Sequence, residues 1–326
     1  MALPGAGHRV CMTFDAFSRN GLILVEHVHP FIDDLRMLRR AVDRGQLVRL
    51  RRGVYVDAAR WAATDARGRH VFRVRAALTA ARRPTIIAGM SAAALWGMPI
   101  AGEWPREVTV LDQWLGGGRS EPGVRRTAAG FATASVVELQ GIRVTNLPRT
   151  ALDVARAHSF VEAVGSVDWA LWRRNEFATT AADLAEELVR LNPRVGCRHL
   201  ERVVGFGTSL SGSFGESSAR AVIHQLGFEA PELQAKFRDS QGLMETDFWW
   251  RGARIVGEFD GKQKYTREEY TNGNPGEVAW REKKREDRLR RLGQGMVRIL
   301  TSHVTHPNTL ERLLLDAGVP RGGGSY

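Results

Sequence analysis

Glu245-Thr246-Asp247-Phe248-Trp249-Trp250-Arg251-Gly252-Ala253-Arg254-Ile255-Val256-Gly257-Glu258-Phe259-Asp260-Gly261-Lys262 decides the fold of the C-terminal part of the chain. Two runs rich in aromatic and β-branched residues flank Gly252-Ala253. Gly as the first of two central residues predicts a type II′ hairpin, whose twist matches that of the strands. In that register Arg251 faces Arg254, Trp249 faces Val256, Asp247 faces Glu258 and Glu245 faces Asp260. Side chains alternate along a strand, so the four carboxylates share one face. Thr246, Phe248, Trp250, Ile255, Gly257 and Phe259 share the other, an apolar face suited to packing. Like charges placed opposite each other destabilise a sheet, so four acids need an offset. Mg²⁺ or Mn²⁺, which prefer oxygen ligands, would supply one. A solvated hairpin edge whose acids face water is the other reading of the same spacing.

Outward from the hairpin, the last third of the chain reads α-β-β-β-α-β. A helix over 216–226 has Ala219, Val222, Ile223 and Leu226 on one face, with Gly227 and Pro231 ending it. A strand over 233–237 follows, then the hairpin, then a charged helix over 277–292 with seven Lys/Arg against four acids. A strand over 296–300 and a helix over 309–317 complete an α/β sandwich around a mixed sheet. The Gly/Ser-rich stretch 205–213 reads as a linker, giving a last domain of 206–326.

The chain has 326 residues, a formal net charge of +11 and 43% hydrophobic residues, enough for two or three domains with real cores. The basic balance favours nucleic acid or another polyanion as partner. Cys11 and Cys197 are the only cysteines, and no CxxC or Cys/His cluster is present. That excludes a disulfide framework or zinc finger and fits a reducing cytoplasm. No secretory signal is visible at the N-terminus. The longest uncharged run, 85–102, is broken by Gly89, Gly97 and Pro99, so it predicts a buried helix and loop rather than a membrane span.

Near the N-terminus, Leu35, Leu38, Ala41 and Val42 recur at helical spacing and Gly45 can end the helix. Strands over 47–50 and 53–56 around an Arg51-Arg52 turn follow, which is how a winged helix-turn-helix ends. Seven arginines against Asp43 lie between Arg36 and Gly53. Arg39, Arg40 and Arg44 on the helix, and Arg49, Arg51 and Arg52 on the wing, are the candidate DNA contacts. A solvated helix face with a basic turn is the alternative. Residues 61–205 predict a small α/β region followed by helices, with a basic helix over 70–83, strands over 108–111 and 141–145, and helices over 149–157, 160–173 and 181–191. No residue set there asks for chemistry; Asp153 and His158 read as capping and surface residues.

Two stretches carry family resemblances. Leu38 to Tyr55, with Val144 to Asp153, resembles the N-terminal winged helix and middle region of AbiEi-type antitoxins. That likeness implies a DNA-binding domain over 1–60, repression of the protein's own operon and a cognate toxin partner. The C-terminal third resembles the very-short-patch-repair-like branch of the PD-(D/E)xK nuclease superfamily. The matching residues are Gly215-Glu216-Ser217, Gly227-Phe228, Pro231 with Gln234, Thr246-Asp247-Phe248, Gly257-Glu258-Phe259-Asp260-Gly261, Lys264-Tyr265 and Arg285-Glu286-Asp287. It implies a restriction-endonuclease-like sandwich that hydrolyses phosphodiesters with Mg²⁺ or Mn²⁺, in a phage-defence, toxin–antitoxin or repair setting. Glu216, Asp247 and Glu258 would then be the metal ligands. The superfamily usually has Lys two residues after the strand Glu, and here that position is Asp260. Asp260 would be a further ligand, and Lys262 or Lys264 would take over from the missing Lys. The other implication is a retired nuclease fold kept as the scaffold of a non-enzymatic regulator.

Overall fold

A computed structural model describes residues 18–28, 36–81, 83–113, 121–261 and 275–322. The chain divides into two compact units. The first comprises residues 1–95, 103–128 and 138–144, and the second residues 96–102, 129–137 and 145–326. The Gly/Ser-rich stretch 205–213 therefore lies inside the second unit. Among the described residues no helix is long and apolar enough to cross a membrane.

In the first unit β1 (Ser18–Arg19), β2 (Leu22–Leu24), β3 (Leu47–Arg51) and β4 (Val54–Asp57) form a sheet of order β1-β2-β4-β3. Helices α1 (Val25–Val28) and α2 (Arg36–Asp43) lie between β2 and β3. Leu38 and Ala41 of α2 pack with Ile23 and Leu47 on one side of the sheet. Gly45, at φ 69°, ends α2 as expected, with Gln46 N–H donating to the Ala41 carbonyl at 2.9 Å. Helix α3 (Ala58–Ala63) leads to α4 (Ala66–Thr79), whose Phe72 and Ala76 meet Leu22, Val54 and Val56 on the other side. The basic helix thus begins earlier than residue 70. Asp65 caps it, accepting from Gly68 N–H at 2.7 Å. A second sheet, of order β7-β6-β5-β9-β8, comprises β5 (Ile86–Ile87), β6 (Val108–Leu111), β7 (Val124–Thr127), β8 (Val136–Leu139) and β9 (Ile142–Thr145). Helix α5 (Gly89–Trp96) follows β5.

The second unit starts with α6 (Leu147–Arg156), α7 (Phe160–Leu171), α8 (Ala181–Leu191) and α9 (Cys197–Phe206). Then come α10 (Phe214–Gln225), β10 (Glu232–Asp239), β11 (Gly242–Trp250), β12 (Ile255–Asp260), α11 (Pro275–Arg291), β13 (Gly295–Leu300), α12 (Thr301–Thr305) and α13 (Pro307–Asp316). The sheet order is β10-β11-β12-β13, antiparallel except for the parallel β12–β13 pair. One face carries Phe248, Trp250, Ile255 and Phe259 against Ala219, Val222 and Ile223 of α10 and Leu310 and Leu314 of α13. The other carries Met244 and Val256 against Leu289 of α11, with Trp249 and Leu292 alongside. Buried Trp250 satisfies its indole N–H on the Glu229 carbonyl at 2.8 Å.

Candidate active site: acids and arginines on the α11 face of the sheet

The hairpin keeps the register expected from sequence, with Trp250↔Ile255, Trp249↔Val256 and Phe248↔Gly257. Its turn is different. Arg254 N–H closes onto the Arg251 carbonyl at 3.2 Å, but the residue at positive φ is Arg254 (57°), not Gly252. That replaces the expected type II′ geometry, which needs positive φ at Gly252. Side-chain bonds from Arg254 to the carbonyls of Gly293 (3.2 Å) and Leu292 (3.1 Å) offset the strain of its left-handed backbone.

The main-chain ladder stops at Phe248↔Gly257, one pair short of Asp247 and Glu258. There side chains take over. Asp247 Oδ2 accepts the Phe259 N–H at 2.8 Å. Arg285 of α11 donates one Nη2 to Glu258 Oε1 at 2.8 Å and to the Glu245 carbonyl. Neither Asp247–Glu258 nor Glu245–Asp260 is therefore a ladder pair of facing, uncompensated acids. Glu258, Asp260 and Glu245 each have an arginine beside them. Arg285 holds Glu258, Arg298 stands 3.4 Å from Asp260, and Arg174 stands 3.8 Å from Glu245. Glu286 joins the group through Arg298 at 3.9 Å.

Glu216 reaches the same end of the sheet from α10. Its carboxylate accepts from Gly212 N–H (2.9 Å), Ser213 Oγ (2.8 Å) and Gln234 Nε2 (3.4 Å). Gln234 belongs to β10 and, between the pairs Leu233↔Phe248 and Ala235↔Thr246, sits opposite Asp247. Gly215 seats the helix start on the Phe259 ring; a Cβ there would lie 2.0 Å from a ring carbon, so no side chain fits. The first role of Glu216 is thus to close the N-terminal turn of α10, where a negative charge is also favoured by the helix dipole.

Asp247, Glu258 and Asp260 are hard oxygen donors of the kind Mg²⁺ and Mn²⁺ take, so the donor chemistry fits such an ion. Among the described residues no three His, Cys, Asp or Glu side chains converge closely enough to hold one. Lys262 and Lys264 lie outside the described residues.

Sequence reading named Arg285 only within a family motif and gave these arginines no role. The signal was present: Arg285, Arg288 and Leu289 of α11, with Leu292 just past its end, fall at i, i+3, i+4 and i+7, so two arginines share the inward stripe with two leucines. An inward arginine needs an anion. Arg288 finds Asp239, through Nε at 2.7 Å and Nη2 at 2.6 Å. These bonds hold the Asp239 carboxyl well below the usual range, at about 2.

In the first unit Arg39 and Arg40 on α2, Arg44 just after it, and Arg49 and Arg52 on the β3–β4 hairpin are exposed. Arg51 is not available in the same way. Its guanidinium pairs with Glu121 and donates to the Ala76 carbonyl at 3.4 Å. The β3–β4 turn falls at Arg52-Gly53, because β3 runs through Arg51 and Gly53 takes φ 77°.

No protein-family model and no curated protein matches the chain. Among solved structures, the crystal structure of the RV2827C protein from Mycobacterium tuberculosis aligns with 69% of this chain and 87% of its own. The TM-score is 0.38 and the identity 12%, a likeness too slight to say what either protein does.

Proposed function

We propose that the protein is a nucleic-acid-binding, metal-dependent phosphodiesterase of the nuclease type, with DNA as its substrate. The observation that carries this reading is the placement of Asp247 and Glu258 on adjacent strands, one residue beyond the point where the main-chain ladder ends. Asp247 and Glu258 would hold Mg²⁺ or Mn²⁺, with Asp260 beside them and Glu216 supporting the end of the sheet through α10. Such an ion supplies Lewis-acid stabilisation of the phosphoryl oxygens and a more acidic water. The protein's part is to fix the carboxylates and to surround the phosphate with Arg285, Arg298 and Arg174. The exposed arginines of α2 and the wing suit a duplex backbone, and the formal charge of +11 points the same way.

The test is incubation of the full chain with duplex DNA, single-stranded DNA and RNA over a Mn²⁺ and Mg²⁺ titration. Asp247→Ala should lower the cleavage rate by about 10² or more. Added Mn²⁺ should raise the melting temperature of the wild type by mass action and leave Asp247→Ala unmoved.

A second reading has its own observation: Glu258 and Asp260 already carry arginine partners, and Asp260 occupies the usual lysine position. In that reading the fold is a scaffold for an AbiEi-type repressor that pairs with a toxin. Salt-sensitive duplex binding without cleavage at any metal concentration would select it.

A further inference from the structure

The site as it stands is closed by Arg285. One Nη2 of this side chain bridges β11 and β12, donating to the Glu245 carbonyl and, at 2.8 Å, to Glu258 Oε1. The pair is mostly withdrawn from solvent, with 35% of the Arg285 and 15% of the Glu258 side chain exposed. A charge-assisted hydrogen bond in such a setting is among the stronger ones a protein makes. A cation that takes Glu258 Oε1 competes with it directly.

Resting on the nuclease reading above, we propose that Arg285 is the site's exchangeable counter-ion. It holds Glu258 in the metal-free protein, yields it to a divalent cation, and then turns its guanidinium to the phosphate. Three features of the structure support this assignment. The neighbouring Arg288 is fixed on Asp239 by two bonds, so α11 stays docked when Arg285 changes partner. Asp260, two residues further along β12, has its own cationic neighbour in Arg298 of β13, so Arg285 is not needed to balance it. The same Nη2 also donates to the Glu245 carbonyl, a main-chain acceptor that a cation on Glu258 does not take away. A guanidinium does not deprotonate near neutrality, so Arg285 cannot be a general base. Its planar fork suits two phosphoryl oxygens, and its contribution is electrostatic.

Two measurements on the full chain test the idea: calorimetric Mn²⁺ titration without nucleic acid, and single-turnover DNA cleavage at saturating Mn²⁺. Arg285→Gln retains hydrogen-bonding capacity without the charge, and Arg285→Ala removes both. Each should bind Mn²⁺ about tenfold or more tightly than wild type, because the competing charge-assisted bond is gone. Each should nevertheless cleave about 10²-fold more slowly. Arg285→Lys should lie between wild type and Arg285→Gln in both measurements. An anchor for α11 alone would leave Mn²⁺ affinity unchanged or weaker in folded Arg285→Gln, and that result overturns the inference while the nuclease reading stands. Tighter binding with an unchanged rate would also overturn it. If neither wild type nor variants bind Mn²⁺, the nuclease reading itself fails and this inference with it.

Discussion

His70 shows what one buried titratable group does in this chain. Its Nδ1–H donates to the Pro105 carbonyl at 2.9 Å, so Nε2 accepts from the Ser91 hydroxyl at 2.9 Å. Ser91 Oγ in turn accepts from Thr109 N–H at 2.9 Å. Burial, with a smaller push from the Arg73 charge, lowers the His70 pKa to about 4 against the opposing effect of the Pro105 bond. Below about pH 6.5 the unfolded chain takes up a proton that the folded protein refuses until about pH 4. Stability therefore falls as pH drops through that window, by on the order of 3 kcal/mol from this residue. Urea unfolding at pH 7 and pH 4.5 should show the loss in wild type and a much smaller one in His70→Gln. An equal loss in the variant would assign the pH dependence to other groups. Nothing in the sequence marked His70, because its partners come from 21 and 35 residues away. Asp247 and Glu258 were legible because strand alternation places residues on a face without reference to the rest of the molecule. The arginine partners of Glu258 and Asp260 were not, because Arg285 and Arg298 arrive from another helix and another strand.

At the level of elements, patterning carried far and turn chemistry did not. The hairpin register follows from apolar residues alternating on both strands, and a slip of one residue would turn Phe248 and Trp250 out of the core. The turn escaped because Arg254 draws its stabilisation from carbonyls beyond the end of α11, which no local rule contains. The wing gives the corresponding prediction. Arg49→Ala with Arg52→Ala should weaken binding to all duplex sequences alike and reduce the salt slope by about one for each phosphate that is no longer neutralised. Arg51→Ala should act on stability instead, by up to about 1 kcal/mol, since its partner Glu121 is partly exposed. Unchanged duplex affinity and salt dependence in the double variant would remove the wing from the interface.

For the whole molecule, composition made the Gly/Ser-rich stretch 205–213 look like a boundary, yet it is tied down at several points. Thr208 N–H donates to buried Asp168 at 2.8 Å. The same carboxylate pairs with Arg220 of α10 at 2.9 Å, and Arg220 Nη1 reaches the Phe206 carbonyl at 3.0 Å. Gly165 of α7 lies against the Phe214 ring of α10, close enough that a Cβ would be 2.5 Å from a ring carbon. A fragment beginning at residue 206 loses this support. It should lack a cooperative unfolding transition, whereas a fragment beginning at 129 should retain one. Asp168→Asn in the full chain leaves Arg220 buried without its charge partner and should cost about 3–5 kcal/mol. Cooperative, equally stable unfolding of 206–326 would show that α7 and α9 are dispensable. Linker composition misled here because small residues serve close helix packing as well as they serve flexibility.

The pairing of Arg288 with Asp239, together with buried Leu289, pins the C-terminal half of α11 to the sheet. Because the Asp239 carboxyl is held at about 2, the pin keeps its full strength above the ordinary carboxylate range near pH 4 and is lost only as pH falls through about 2. Arg285 sits one turn of helix away, toward the N-terminal end of α11. With that half of the helix held, a change of partner at Glu258 falls to the Arg285 side chain and leaves α11 in place.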